Sequence, residues 1–384
     1  MRLQVLTETY PPQRGGMAQS CDRLVAGLRS RGIAVDVVHF TSQQKAPEPA
    51  MQQGGYYLPV SYSDSEAHTL NVAWPLLSRL PEPDVLVAFG GNLPVWAGPV
   101  YARWAQKPLM TCLRGNDFDM ALFTPRKREM LEAALHHSIA ICAVSQEKVW
   151  KIRQLYPEVP VHFTPNGIDR EEWKTSQGEE AFAERWREEH LQGKRCLGVF
   201  GQLKAKKGLG FLLDSLRMNP MREQLHFLLI GELAEEVQTQ LENSQISYTH
   251  EPFLDRYELL KYYRCCDGIC IPSYYDGMPN VLLEAGALGV PVIATAVDGM
   301  KDVLEPVLSE LLFAVGDAHG CRKVIHHWLS AKTEERQQWG QSLATHINDH
   351  YNQSQELDTY EKILSSLPVA VSGTPAERLR KQQF

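Results

Sequence analysis

The stretch from Ser273 to Thr295, S-Y-Y-D-G-M-P-N-V-L-L-E-A-G-A-L-G-V-P-V-I-A-T, leaves the chain few folds to choose from. Immediately before it, Gly268-Ile269-Cys270-Ile271 is a short apolar run closed by Pro272 and Ser273, as expected of a buried parallel strand that ends in a turn. Asp276 stands where a helix N-cap belongs, Gly277 lets the backbone approach a ligand, and Pro279 fits a first helical turn because it has no N–H to leave unpaired. The pattern predicts a helix from about Pro279 to Leu288, stopped by Gly289, and a second buried strand over Val290 to Ala294. Such a helix N-terminus, with unpaired N–H groups and the positive end of the helix dipole, is an anion site suited to phosphate.

Two carboxylates flank that site. Asp276 precedes the helix and Glu284 lies about one and a half turns into it, so one atom cannot contact both. An extended ligand can use both, with Asp276 at one end, the backbone from Gly277 and Met278 through Pro279, Asn280 and Val281 at a central phosphate, and Glu284 further along. A nucleotide sugar has that layout. The plain alternative makes Asp276 a cap and Glu284 a solvated helix residue.

The stretch resembles the E-x7-E region of the retaining glycosyltransferases of the GT-B fold, family 4, usually E-G-x-P-N-x-x-L-E-A-x-A-x-G-x-P-V-I-A. Gly277, Pro279, Asn280, Leu283, Glu284, Ala285, Ala287, Gly289, Pro291, Val292, Ile293 and Ala294 fit, and Asp276 replaces the first Glu. Weaker resemblances support it. Pro11-Pro12 and Gly15-Gly16 match the loop that faces the donor phosphates in the family, and Asn166-Gly167-Ile168-Asp169 matches the passage into the second domain. In Gly201 to Gly208, Lys207 matches the Lys of an Arg-x4-Lys pair that neutralises the diphosphate; Gln202 replaces the Arg, and Lys204 is the nearest cation to fill its place. Asp298-Gly299-Met300-Lys301-Asp302 resembles G-G-x-x-E, with Asp298 for the first Gly and Asp302 for Glu.

The rest of the chain reads as alternating strands and helices. Leu3 to Thr7, Val35 to Phe40, Asp84 to Phe89, Leu109 to Leu113 and Ile139 to Val144 are strand signals of a first sheet, which Val161 to Pro165 completes. No G-x-G-x-x-G follows the first strand and no acid ends the second, which argues against a nicotinamide enzyme. Ser42 to Asp64 reads as a loop excursion, and Ser145 as a helix cap. After Leu113 comes Arg114-Gly115-Asn116-Asp117, where many family members carry His-Gly-Thr-Asp beside the reacting sugar. The resemblance therefore gives Asp276, Arg114, Asn116 and Asp117 catalytic roles, with Asp276 and Arg114 meeting the reacting region from opposite domains. Asp117-Phe118-Asp119 also spells the D-x-D metal motif of another glycosyltransferase architecture, a match that three residues produce by chance. Pro125-Arg126-Lys127-Arg128 is either a solvated helix face or a contact for an anionic lipid surface or acceptor.

At 384 residues the chain fits two α/β domains, and its net charge of −7, carried by the second half, argues against a nucleic-acid partner. Eight scattered cysteines without C-x-x-C pairs read as buried thiols of a reducing compartment. With no signal peptide or span, the expectation is a cytoplasmic protein. The expected fold is two Rossmann-like domains facing a cleft, residues 1–165 on the acceptor side and 166–349 binding the donor, with a helix over about 350–384 returning to the first. Trp339 to Leu367 reads as one long helix, with Pro375 to Phe384 a frayed tail. The resemblance implies a metal-independent hexosyltransferase without cofactor, using a UDP- or GDP-linked sugar and a hydroxyl acceptor. A nucleotide-sugar epimerase and a GT-B scaffold without catalysis are the alternatives.

Overall fold

The computed structural model describes residues 1–43, 45–62 and 65–367. Buried apolar strands and amphipathic helices alternate along the chain and gather into two units. One holds Met1–Ala143, Lys148–Thr164 and the chain from Leu357; the other holds Val144–Glu147 and Pro165–Glu356.

In the first unit the order is β1 (Arg2–Thr7), α1 (Gly16–Ser30), β2 (Ala34–Thr41), β3 (Ala50–Gln52), β4 (Gly55–Ser61), α2 (Glu66–Leu77), β5 (Val85–Phe89), α3 (Asn92–Ala105), β6 (Leu109–Leu113), α4 (Asp117–Leu122), α5 (Pro125–His137), β7 (Ser138–Ala143), α6 (Gln146–Leu155) and β8 (Val161–Phe163). These strands form one sheet in the order β3-β4-β2-β1-β5-β6-β7-β8, parallel except for β3. Both faces are covered, which is why the central strands read as continuous apolar runs. One face packs Cys21, Leu24, Val25 and Leu28 of α1 with Leu357, Tyr360, Ile363 and Leu364 near the end of the described chain. Burying each leucine contributes about 1.5–3 kcal/mol. The segment expected to be a loop excursion instead pairs β3 antiparallel to β4, Ala50 opposite Tyr57 and Gln52 opposite Gly55, and adds β4 parallel to β2. Tyr56, Tyr57, Leu58 and Val60 supply the strand propensity that its polar flanks obscure.

The second unit continues with α7 (Gln177–Leu191), β9 (Arg195–Phe200), α8 (Leu209–Leu216), β10 (Leu225–Ile230), α9 (Glu235–Ser244), β11 (Ser247–Glu251), α10 (Arg256–Cys265), β12 (Gly268–Ile271), α11 (Asn280–Ala287), β13 (Val292–Thr295), α12 (Asp298–Leu308), β14 (Leu312–Phe313), α13 (Ala318–Ser330) and α14 (Thr333–His350). A last helix, α15 (Gln353–Ser366), begins here and belongs to the first unit from Leu357. The second sheet is parallel, in the order β11-β10-β9-β12-β13-β14. The polar crossover before β9 is helical: Ser176 accepts from Glu179 N while Glu179 reaches back to Ser176 N, a capping box that starts α7.

The expected single helix from Trp339 is two. Ile168 N donates to Tyr351 O at 2.9 Å and Gln353 N donates to Ile168 O at 3.1 Å, so the backbone at Tyr351–Asn352 is drawn into a bridge and the helix breaks there. All eight cysteines are buried and none forms a disulfide. Among the described residues no helix is long and apolar enough to cross a membrane. The expected tail from Pro375 to Phe384 lies outside the described residues.

Candidate nucleotide-sugar site

In the second sheet β9, β10 and β11 proceed outward on one side and β12, β13 and β14 on the other, so the order reverses between β9 and β12. Ligands of open α/β sheets bind outside the carboxyl ends of the strands at such a point. The loop after β9 holds Lys204 and Lys207; the loop after β12 holds Asp276 and leads into α11.

The two loops are stapled together. Tyr274 N donates to Lys206 O at 3.1 Å. Gly208 has φ +73°, and a Cβ on it would stand 1.9 Å from Pro272 O, so this approach requires glycine. The consequence is an ion pair between Lys207 Nζ and Asp276 Oδ2, with side chains 26% and 18% exposed. Asp276 is therefore not the helix cap that its place in the sequence suggests. Pro279 occupies the N-cap position, no side chain caps α11, and its first turn carries no acidic residue. Asp276 lies three residues ahead of that cap and the nearest cation takes it.

Carbonyl oxygens of this loop are engaged by neighbouring donors. Thr295 Oγ1 donates to Ser273 O at 2.6 Å, Gly299 N to Gly277 O at 2.7 Å, and Asn166 Nδ2 to Met278 O at 2.8 Å. Asn166, legible in the sequence only as part of a domain passage, thus holds the backbone that precedes α11. Asn280 and Glu284 are both buried, and the Glu284 carboxylate accepts from the Tyr263 hydroxyl at 2.6 Å. The reading of Glu284 as a solvated helix residue is thereby excluded. Lys204 and Lys206 are both exposed; Lys206 lies 5.9 Å from the Tyr275 ring centroid, where partial burial of its ammonium and the Lys207 charge lower its pKa.

The G-G-x-x-E-like segment is close by in sequence and carries a residue strained by its backbone. Asp298 has φ +42°, a region suited to glycine that aspartate tolerates better than most. Its carboxylate accepts from Ser145 Oγ at 3.0 Å, and Asp302 accepts from Gln146 N at 2.8 Å. Ser145 therefore serves Asp298 as a donor. Burial pushes Asp302 up to about 6, and the charges of Asp298 and Glu147 add to the rise.

In the first unit the order reverses between β1 and β5. Gly15, with φ +125°, is the N-cap residue of α1, and Gly16 is its first residue. The residue that sequence reasoning missed is Glu8. Its Oε2 accepts from Asn92 N at 3.1 Å and its Oε1 from Leu93 N at 2.8 Å, so it caps α3 from 84 and 85 residues away. Gly91, φ +77°, permits this, since a Cβ there would lie 2.2 Å from Glu8 Oε2. Burial raises the Glu8 pKa despite both bonds. A helix start at Gly90-Gly91-Asn92 without its own acid was the available signal.

Arg114, Asn116 and Asp117 belong to this first unit. Arg114 is buried; its guanidinium donates to Thr164 O at 3.0 Å and to the Tyr360 hydroxyl at 3.1 Å, and lies 5.4 Å from the Phe89 ring centroid. It acts as an interior tie. Asn116 is the N-cap residue of α4 without a side-chain cap bond, and the Asp117 carboxylate accepts from the backbone N–H groups of Arg114, Gly115 and Phe118. Asp119, the second acid of the D-x-D match, is held below its usual value, against burial, by Lys148 at 3.2 Å and Lys151 at 2.8 Å. In the basic run, Arg126 pairs with Glu66 and lies over the Trp96 ring, and Arg128 pairs with Glu132.

Comparison with known proteins adds to this geometry. The profile of Glycosyltransferase Family 4 matches residues 14–172, and that of Glycosyl transferases group 1 matches residues 181–345. A Methanocaldococcus jannaschii protein described as an uncharacterized glycosyltransferase is 22% identical over 79% of this chain and 83% of its own length. A D-inositol 3-phosphate glycosyltransferase of Thermobifida fusca is 31% identical over 21% of this chain and 18% of its own. Among solved structures, sucrose-phosphate synthase of Thermosynechococcus elongatus superposes with TM-score 0.81 at 16% identity over 96% of this chain and 100% of its own. Anabaena HepE in complex with UDP and glucose does so with TM-score 0.76 at 18% identity over the same shares. Two sheets, parallel except for β3, with these topologies, one profile on each half and structures of this kind at full length make the chain a member of the GT-B fold glycosyltransferases of family 4, group 1.

Proposed function

We propose that the protein transfers a hexosyl group from a uridine or guanosine diphosphate sugar to a hydroxyl acceptor with retention of configuration. The carrying observation is Lys207 paired to Asp276 beside the acid-free first turn of α11, at the reversal point of the second sheet. On this reading the diphosphate lies against the N–H groups that open α11 and against Lys207, Asp276 faces the sugar, and Glu284 accepts from the ribose hydroxyls. The anomeric C–O bond breaks as diphosphate charge grows. That charge is met by groups already in position, the condition for electrostatic stabilisation of a leaving group. The acceptor oxygen bonds to the anomeric carbon on the face the phosphate leaves, and its proton passes to the departing phosphate oxygen. HepE, of the same fold, has been described with UDP and with UDP-glucose, which supports a uridine donor.

The donor domain is proposed to comprise 166–349 and the acceptor domain 1–165 with the chain from about 350. Arg114 and Asp117, spent on interior and backbone bonds, are read as shaping the end of β6. A thermal-shift screen of UDP, GDP and their sugars, followed by incubation of the stabilising donor with hydroxyl acceptors, tests the proposal. Expected are stabilisation by one nucleotide series and donor-dependent transfer that EDTA leaves unchanged. Isomerisation of the donor alone would make the protein an epimerase, and no binding of any nucleotide sugar would remove the assignment. Inhibition by EDTA, reversed by a divalent cation, would overturn metal independence.

A further inference from the structure

Glu284 reaches the proposed ribose position from inside the protein, and a buried carboxylate needs a donor to fix its direction. Tyr263 on α10 supplies one. Its side chain is fully buried and its hydroxyl donates to Glu284 Oε2 at 2.6 Å. Two rings hold the phenol in place. Phe200, the last residue of β9, meets it edge-on with centroids 4.8 Å apart, and Trp173 meets it at 5.9 Å and 81°. Phe200 directly precedes the Lys204–Lys207 loop, and Trp173 follows the Asn166–Asp169 segment that holds Met278 O. Tyr263 thus links Glu284 to the strand end that leads into the Lys204–Lys207 loop and to the chain that follows Asn166. Burial and the Glu284 charge push its pKa well above the ordinary value, so it remains a donor.

We infer that Tyr263 is a positioning residue for nucleotide recognition: it aims the Glu284 carboxylate at the ribose hydroxyls and so sets the preference for ribonucleoside over 2′-deoxyribonucleoside diphosphates. The inference rests on the ribose role proposed for Glu284. A phenol that only filled space would support folding without affecting that preference. An aimed carboxylate distinguishes the two ligands because the deoxy sugar lacks a hydroxyl to donate.

The test is calorimetric titration of the full chain with UDP, 2′-deoxy-UDP and inorganic pyrophosphate, and with the guanosine pair if GDP binds better. Wild-type protein is expected to favour the ribonucleotide by about 10-fold or more, the scale of a charge-assisted hydrogen bond. Glu284→Gln should bring that ratio close to one. Tyr263→Phe should lower it by about 3–10-fold while pyrophosphate affinity stays at the wild-type value. A wild-type ratio in Tyr263→Phe beside a collapsed ratio in Glu284→Gln overturns the role of Tyr263 alone. A wild-type ratio in Glu284→Gln overturns the ribose assignment itself. Should Tyr263→Phe not fold, Trp173→Phe keeps the hydroxyl and loosens its seat; a smaller fall in the ratio is expected, and none would overturn the inference.

Discussion

At the carboxyl end of β5 the first two N–H groups of α3 are taken by Glu8, whereas at the carboxyl end of β12 the first turn of α11 has no acid of its own and the acid that precedes it, Asp276, is paired to Lys207. The two sheets reverse their order at equivalent places and treat the positive end of the local helix in opposite ways. In the first unit the chain supplies its own anion, so that helix start has no need of a phosphate. In the second the nearest acid, Asp276, is held by Lys207 ahead of the helix. Equivalent topology thus gives one helix start closed by an acid from 84 residues away and one whose first turn carries no acid and no side-chain cap.

The largest expected effect separates the two poles. Lys207→Ala should weaken UDP or GDP binding by about 2–3 kcal/mol, the upper range for a charge-assisted bond, while Glu8→Ala should leave it unchanged. Equal losses in titration would break the comparison. Next, Glu8→Ala should lower stability by about 1–2 kcal/mol as α3 loses its cap, and Glu8→Gln, which keeps one acceptor oxygen, by less. Chemical denaturation at several pH values sharpens this point. Because burial raises the folded Glu8 pKa, the folded state holds more protons than the unfolded one just above the usual value of 4.5, so the Glu8 contribution to stability falls as pH rises through that window. Glu8→Gln should flatten that dependence, and an unchanged slope would assign it to another group.

A smaller effect concerns Asp276. Asn in its place frees Lys207 and removes a negative charge near the diphosphate, so affinity for the free nucleotide should rise by up to about 1 kcal/mol while turnover drops. Parallel loss of both would show that Asp276 holds the loop and does not face the sugar. The smallest expected difference is between Lys204→Ala and Lys206→Ala at fixed salt. Exposed Lys204 is free to swing toward the diphosphate, and its loss should cost about 0.5–1 kcal/mol of affinity; Lys206, beside Tyr275, should cost less. Equal values would remove Lys204 from the site.

Much of the second pole is legible in the residues themselves. Gly268 to Ile271, Pro279 to Leu288 and the resumed strand after Gly289 lie within one or two residues of β12, α11 and β13 because each is specified by local periodicity and by Pro and Gly at its ends. The surroundings of the candidate residues on that stretch are not: Asp276 reads as a cap and is paired to Lys207, and Glu284 is buried against Tyr263. The pole in the first unit is not, because Glu8 sits in an unremarkable T-E-T-Y run and acts on Asn92 and Leu93. Arg114 is legible as a charged residue at a strand end, but not as one whose partners are Thr164 and Tyr360.

Local sequence is enough to set most of the alternation of strand and helix and the start of α11, since these depend on the order of neighbours along the chain; the β3–β4 pairing escaped it. Which charges meet is settled in three dimensions. Lys207 and Asp276 are 69 residues apart, Tyr263 and Glu284 are 21 apart, and the break between α14 and α15 comes from Ile168, far upstream. Those pairings follow from strand order, which places β9 beside β12 although β10 and β11 separate them in the chain. A side chain's partner is set by that order, and local pattern carries no record of it.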